Sequence, residues 1–245
     1  MCVPAHVWGR RRVGDRYRRG VSSPLDNPAY ASLTGPHARF AESHGTAVRY
    51  DPAVSPWAGM PDDADETAWK DLAELAGPGG VLSLPGPRLP APAGWAVEFA
   101  VPGVQMVAGP METAPDPEAV RLTAADVPDM LALAERTRPG PFLPRTVELG
   151  TYLGFRRAGR LIAMAGERLH PPGYTEISAV CTDAEFRGQG LGTRLVLAVA
   201  HGIRERGETP FLHAAADNTS AIRLYAALGF RLRREIDFVG VRVPA

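Results

Sequence analysis

The chain has 245 residues, 45% apolar and 22% charged, with 27 basic and 27 acidic side chains and a formal net charge of zero. Balanced charge argues against a general attraction to nucleic acid or an anionic membrane, and no apolar run approaches the ~20 residues of a membrane-spanning helix. The only cysteines, Cys2 and Cys181, are too few for a disulfide framework or a zinc cluster, so the expectation is a reduced, cytoplasmic protein without a metal.

Residues 1–24 are arginine-rich, with Arg16, Arg18 and Arg19 following a basic triplet at 10–12, and they lack the apolar stretch of a secretory signal. They are expected to be a disordered, solvated tail; an arm touching nucleic acid is the rival reading. Residues 25–112 are expected to form a first α/β domain. Asn27 followed by Pro28 opens a short helix, 36–44 suggests a second, and 47–50 a strand. Trp69, Leu72, Ala73 and Ala76 make a helical stripe that Gly77-Pro78 stops. Residues 81–84, 95–101 and 104–107 have strand character and are separated by Pro- and Gly-rich turns. The acidic residues Asp62, Asp63, Asp65 and Glu66 precede a helix, where capping explains them without a metal.

Residues 111–117 form the predicted linker to a second domain, 118–245. A strand at 120–122 leads to Thr123 and Asp126, spaced as a helix cap, and then to the apolar stripe Val127, Met130, Leu131 and Ala134. After a short helix at 145–149 come three strands, 152–156, 160–169 and 174–182, the first two joined by the hairpin signal Ala158-Gly159. Then follow a glycine-rich turn, a long helix, a strand at 211–216, a helix opened by Asn218, and a last strand at 236–243. The order is α/β.

The turn Arg187-Gly188-Gln189-Gly190-Leu191-Gly192 carries the chemistry. A glycine turn between a strand and a helix lets the backbone approach negative oxygens with free amides. Its spacing is neither the dinucleotide G-x-G-x-x-G, since Thr193 stands where the last glycine belongs, nor the P-loop, since no lysine follows. Downstream lie Asn218, Ala221, Leu224-Tyr225 and Leu228-Gly229-Phe230. Together, R-x-x-G-x-G and N-x-x-A-x-x-L-Y-x-x-L-G-F resemble the two coenzyme motifs of the GNAT superfamily of N-acetyltransferases, over about residues 119–242.

That resemblance implies a mixed, mostly antiparallel sheet flanked by helices, with acetyl-CoA as cosubstrate, and leaves the first half as a degenerate copy of the same fold or something unrelated. It implies that the backbone amides of Gly188, Gln189, Gly190, Leu191, Gly192 and Thr193 hold the pyrophosphate, with Arg187, and Arg194 as a second candidate, supplying charge. It also implies that Val180, Cys181 and Thr182 pair with the pantetheine arm, that Asn218 bonds that arm while capping its helix, and that Tyr225 is the general acid. Glu176 lies eleven residues before Arg187, where by the resemblance some GNAT enzymes carry a catalytic glutamate, and by strict alternation it would share a face with Ser178, Val180 and Thr182. Partial burial raising its pKa would make it the base; a charge at the strand's wet end, with an ordered water as base, is the alternative. His213 is either on the acceptor side or structural. The implied acceptor is a small-molecule amine or a peptide N-terminus. A non-catalytic acyl-CoA-binding module is the competing function, and the sequence leaves open whether the protein forms a homodimer.

Overall fold

The computed structural model describes residues 23–86 and 91–245; the predicted basic tail falls outside the described residues except for its last two. Helix α1 (Pro28–Leu33) begins where Asn27-Pro28 predicts, with the proline in the first turn, where its missing N–H breaks no helical bond. The helix expected at 36–44 is not formed. A 3₁₀ turn at Ala38–Phe40 leads instead into β1 (Ala41–His44), which forms a hairpin with β2 (Ala47–Tyr50), and β2 pairs with β3 (Ala58–Gly59). Gly45, at φ +52°, closes that hairpin, and cross-strand pairing outweighs a weak helical preference.

Helix α2 (Glu66–Ala76) starts at Asp65, whose carboxylate accepts from the amides of Thr67 and Ala68. The acidic run is therefore capping chemistry, as expected. Strand β4 (Val81–Gly86) is followed by β5 (Ala96–Ala108), a single 13-residue strand where two were expected. Pro102-Gly103 does not interrupt it: both stay in register with β11, opposite Asp237 and Ile236, and a Cβ at Gly103 would lie 2.7 Å from the Phe238 ring. The missing Cβ lets the strand pass close under its neighbours.

Strand β6 (Val120–Leu122) precedes the predicted capping box of Thr123 and Asp126, and α3 (Val127–Thr137) follows. A 3₁₀ turn at Thr146–Leu149 then leads to β7 (Tyr152–Arg157), β8 (Arg160–Glu167) and β9 (Tyr174–Thr182). The chain finishes with α4 (Leu191–Glu205), β10 (Thr209–Ala215), α5 (Thr219–Ala227) and β11 (Phe230–Arg242).

One eight-stranded sheet, in the order β4-β11-β5-β10-β9-β8-β7-β6, organises both halves. Its pairs are antiparallel except β9–β10. Because β5 lies between β11 and β10, the boundary expected at 112–118 is a connection between strands of one sheet. The first half contributes to that sheet rather than building a separate one for β4 and β5.

On one face, the stripe Leu195, Val196, Val199 and Ile203 of α4 packs with α5 over Ile162, Ala163 and Ala165. The opposite face is covered by α3, through Met130 and Leu133 on Met164, and by the first half, through Leu33, Tyr50 and Trp57 near Leu169 and Phe211. Among the described residues no helix is long and apolar enough to cross a membrane.

Candidate functional site

The site begins where two strands part. Strands β9 and β10 pair only from Tyr174–Thr209 to Ile177–Leu212, though both continue further. Beyond that point each keeps only its outer neighbour: Cys181 and Thr182 pair with β8, and His213 to Ala215 pair with β5. The inner edges therefore face a wedge-shaped opening with unspent backbone groups.

A bulge in β9 decides which side chains meet that opening. Ser178 pairs with Gly166 and Cys181 with Met164, so Ala179 and Val180 together oppose Ala165, and Ala179 takes φ +52°. The extra residue shifts the alternation. Ile177 and Val180 both pack on the α4 side, whereas Ala179 and Cys181 pack on the α3 side. The expected shared face from Glu176 to Thr182 does not exist, because Glu176 lies across the sheet from Val180 and Thr182.

On the α4 side, every predicted cofactor residue except Gln189 borders a cavity of about 430 Å³. Gly188 and Gly190 take φ +78° and +74°, values that only glycine adopts freely, and Gly190 caps α4 in the left-handed conformation. Among the described residues, the amides of 188–193 have no acceptor, and the first helical bond runs from Arg194 N to the Gly190 carbonyl. Arg187 is exposed and donates to the Thr182 carbonyl at 3.3 Å. Arg194, a second candidate charge, is already committed: it pairs with Asp116 and Glu118 and stacks 4.4 Å over the Phe155 ring. Asn218 caps α5 by accepting from the Ala221 amide, as predicted. Cys181 is buried, and burial pushes its thiol up to about 11, which leaves it inert as a nucleophile.

A second cavity, of about 390 Å³, opens between the two halves and shares Val180, Asn218, Ala221 and Tyr225 with the first. Tyr225 therefore stands at the junction. Burial first, then nearby Cys181, raises its hydroxyl to about 12, so it holds its proton at neutral pH.

Glu176 borders neither cavity. It is fully buried, and its carboxylate accepts from Arg168 Nε (2.8 Å) and Nη2 (2.6 Å), from the Leu169 amide, and from His213 Nδ1 (2.7 Å). Burial alone would raise its pKa, but the charge and hydrogen bonds of Arg168, reinforced by His213, hold the carboxyl well below the usual range. This is the reverse of the raised pKa that the base role required. The Arg168 guanidinium and the hydrogen bonds around the carboxylate outweigh desolvation, leaving a saturated group of poor basicity that borders neither cavity.

Glu176 instead supports the pocket wall, since both its partners, Arg168 and His213, line the cavity. His213 Nε2 lies 3.0 Å from Gln105 Nε2, and its Nδ1 lies 2.7 Å from Glu176, so the ring bridges the two side chains. Gln105 in turn accepts from Arg233, which pairs with Asp26, so a polar chain runs beneath the pocket from Asp26 to Arg168. Arg168 itself stacks 5.3 Å above the Trp57 ring. Sequence reasoning missed Arg168, Trp57 and Gln105. The signal available for Arg168 was its place opposite Glu176 across the β8–β9 turn, an opposite-charge cross-strand pair.

Comparison with known proteins agrees with this architecture. The FR47-like protein family profile matches residues 152–239. A solved GNAT-family structure from Novosphingobium aromaticivorans is 41% identical, covering 91% of this chain and all of that one, with a TM-score of 0.84. The mycothiol acetyltransferase of Mycobacteroides abscessus is 34% identical over 115 residues, 46% of this chain and 36% of that protein. The N-alpha-acetyltransferase RimI of Mycobacterium tuberculosis is 34% identical over 83 residues, 33% of this chain and 51% of its own length. The chain thus spans about a third of the mycothiol acetyltransferase it matches. The match along the whole Novosphingobium chain carries the assignment: this protein belongs to the GNAT family of N-acetyltransferases.

Proposed function

We propose that the protein transfers the acetyl group of acetyl-CoA to a primary amine, by direct attack within a ternary complex. The observation that carries this reading is the meeting of two cavities at Tyr225, one bordered by the glycine turn and the other by the wedge between the halves. The turn suits a diphosphate, because six consecutive amides lack acceptors and the glycines there leave no side chain in the way. The coenzyme supplies an activated thioester. Val180, Cys181 and Thr182 would pair with its arm along the free strand edge, and Asn218 would close the groove from α5.

An amine held in the second cavity would meet the thioester carbonyl beside Tyr225. The nitrogen attacks the carbonyl carbon to form the C–N bond, the C–S bond breaks, and Tyr225 gives its proton to the leaving thiolate; the attacking nitrogen sheds its proton to water, and Tyr225 recovers one from water for the next turnover. Among the described lining residues no carboxylate faces that cavity, so the amine must react from its neutral fraction or lose its proton to solvent. Holding both reactants in adjoining cavities is the main source of acceleration. The acceptors named for the relatives belong to those proteins.

Isothermal titration with acetyl-CoA and a thiol-release assay over a panel of primary amines test the proposal. Micromolar binding with amine-dependent thiol release is expected. Binding without turnover on any amine would favour a non-catalytic coenzyme-binding module, and no binding would end both readings.

A further inference from the structure

We propose that the acceptor is an α-amino acid with an apolar or aromatic side chain, its carboxylate held by Arg168; this deepens, and rests on, the acetyl-transfer reading above. Three features of the second cavity carry it. Its wall contains two cations, Arg138 and Arg168, and among the described residues no aspartate or glutamate. A site built for a polyamine or another multiply cationic acceptor would have the opposite lining. The rest of the wall is largely apolar, with Phe99, Val101, Ile177 and Phe238.

Arg168 is presented in an unusual way. Its Nε and Nη2 face Glu176, so the guanidinium plane is fixed by two bonds and by the Trp57 ring beneath it. Among the described residues Nη1 has no hydrogen-bond partner, and the side chain borders the cavity. A guanidinium fork has two usable edges; Glu176 occupies one, and the edge carrying Nη1 remains for a second carboxylate. Glu176 neutralises only Arg168, so Arg138, at the end of α3, leaves the wall with a net positive charge. Because the buried arginine is already immobilised, binding an anion there costs little further side-chain entropy.

The backbone is consistent with a site under constraint. Among the described residues, Arg138, Ala158 and Ala179 are the non-glycine residues with positive φ, and two of the three line this cavity. Conformations that non-glycine residues rarely adopt persist where the surroundings impose them, and they gather at binding sites. A volume of about 390 Å³ is large enough to admit a free amino acid.

The test measures kcat/KM by thiol release for leucine, methionine and phenylalanine against their amides and their decarboxylated amines. The carboxylates should be preferred by roughly thirtyfold or more, on the scale of a charge-assisted hydrogen-bonded pair. The lower amine pKa of an amide works against that preference, so reactivity alone would not produce it. Combining Arg168→Met with Glu176→Gln removes both charges and leaves no buried carboxylate unpaired; the preference should then fall to about one, within a few-fold. Arg138→Ala should reduce it several-fold.

Equal turnover with and without the carboxylate, or a preference that survives the double variant, would overturn the assignment while leaving acetyl transfer intact. Titration of the same amino acids onto the protein saturated with CoA supplies a readout that needs no turnover. Binding abolished in the double variant supports the assignment, and no binding to the wild type overturns it. Failure on every amine in the panel would instead strike the acetyl-transfer reading.

Discussion

The groove along the glycine turn and the pocket walled by Arg168 meet at Tyr225, yet they are built in different ways. The groove presents main-chain amides of 188–193 and the start of a helix, with few committed side chains. The pocket depends on side chains that hold one another: Glu176 fixes Arg168 and His213, Gln105 holds His213, and Arg233 holds Gln105. A site made of backbone tolerates substitution and binds what any chain with that turn would bind. A site made of an interlocked buried network is selective, and removing one member affects all the others.

The largest effect should follow from breaking that network. Glu176→Ala leaves Arg168 buried without its counter-ion, and such a loss typically costs about 3–5 kcal/mol. For a chain of this size the thermal midpoint should fall by roughly 10 °C or more. Calorimetry showing a shift of only a degree or two would mean the two regions do not differ as described. The same network should appear in the pH profile of the wild type. The folded carboxyl is held below its unfolded value of ~4.3, so its contribution is fully present above that pH and is lost as pH falls below it. Urea midpoints of the Glu176→Gln variant should therefore fall less steeply than those of the wild type below about pH 4.5.

Tyr225→Phe probes the junction. The hydroxyl is the one group of the α5 helix assigned a proton to give, so kcat should drop by roughly 10² while coenzyme binding by titration stays within about twofold. An unchanged kcat would remove Tyr225 from the chemistry and leave the junction as shape alone.

The smallest effect should lie in the groove itself. Arg187 is exposed, and its charge adds to what the amides already provide. Arg187→Ala should weaken acetyl-CoA binding by about fivefold at ~0.1 M salt, with the difference shrinking as salt rises. A loss of a hundredfold or more would show that a side chain, rather than the backbone, governs the groove.

What the sequence determined by itself was the part of the protein made of contiguous chain. The turn at 187–193 is glycine because only glycine takes φ near +75° without strain, Asn218 caps because its side chain reaches the Ala221 amide, and the stripes of α2, α3 and α4 follow from helical period. Each of these depends on neighbours a few residues away. Only the tertiary structure decided that β5 enters the sheet beside β10, since strand order depends on partners about a hundred residues distant. It also decided the role of Glu176. Period-two counting put that carboxylate on the groove side, but one bulged residue at Ala179 reversed the face, and Arg168 and His213 then fixed its charge. A pKa is set by the groups that fold around a residue, and those come from segments whose meeting no local pattern records.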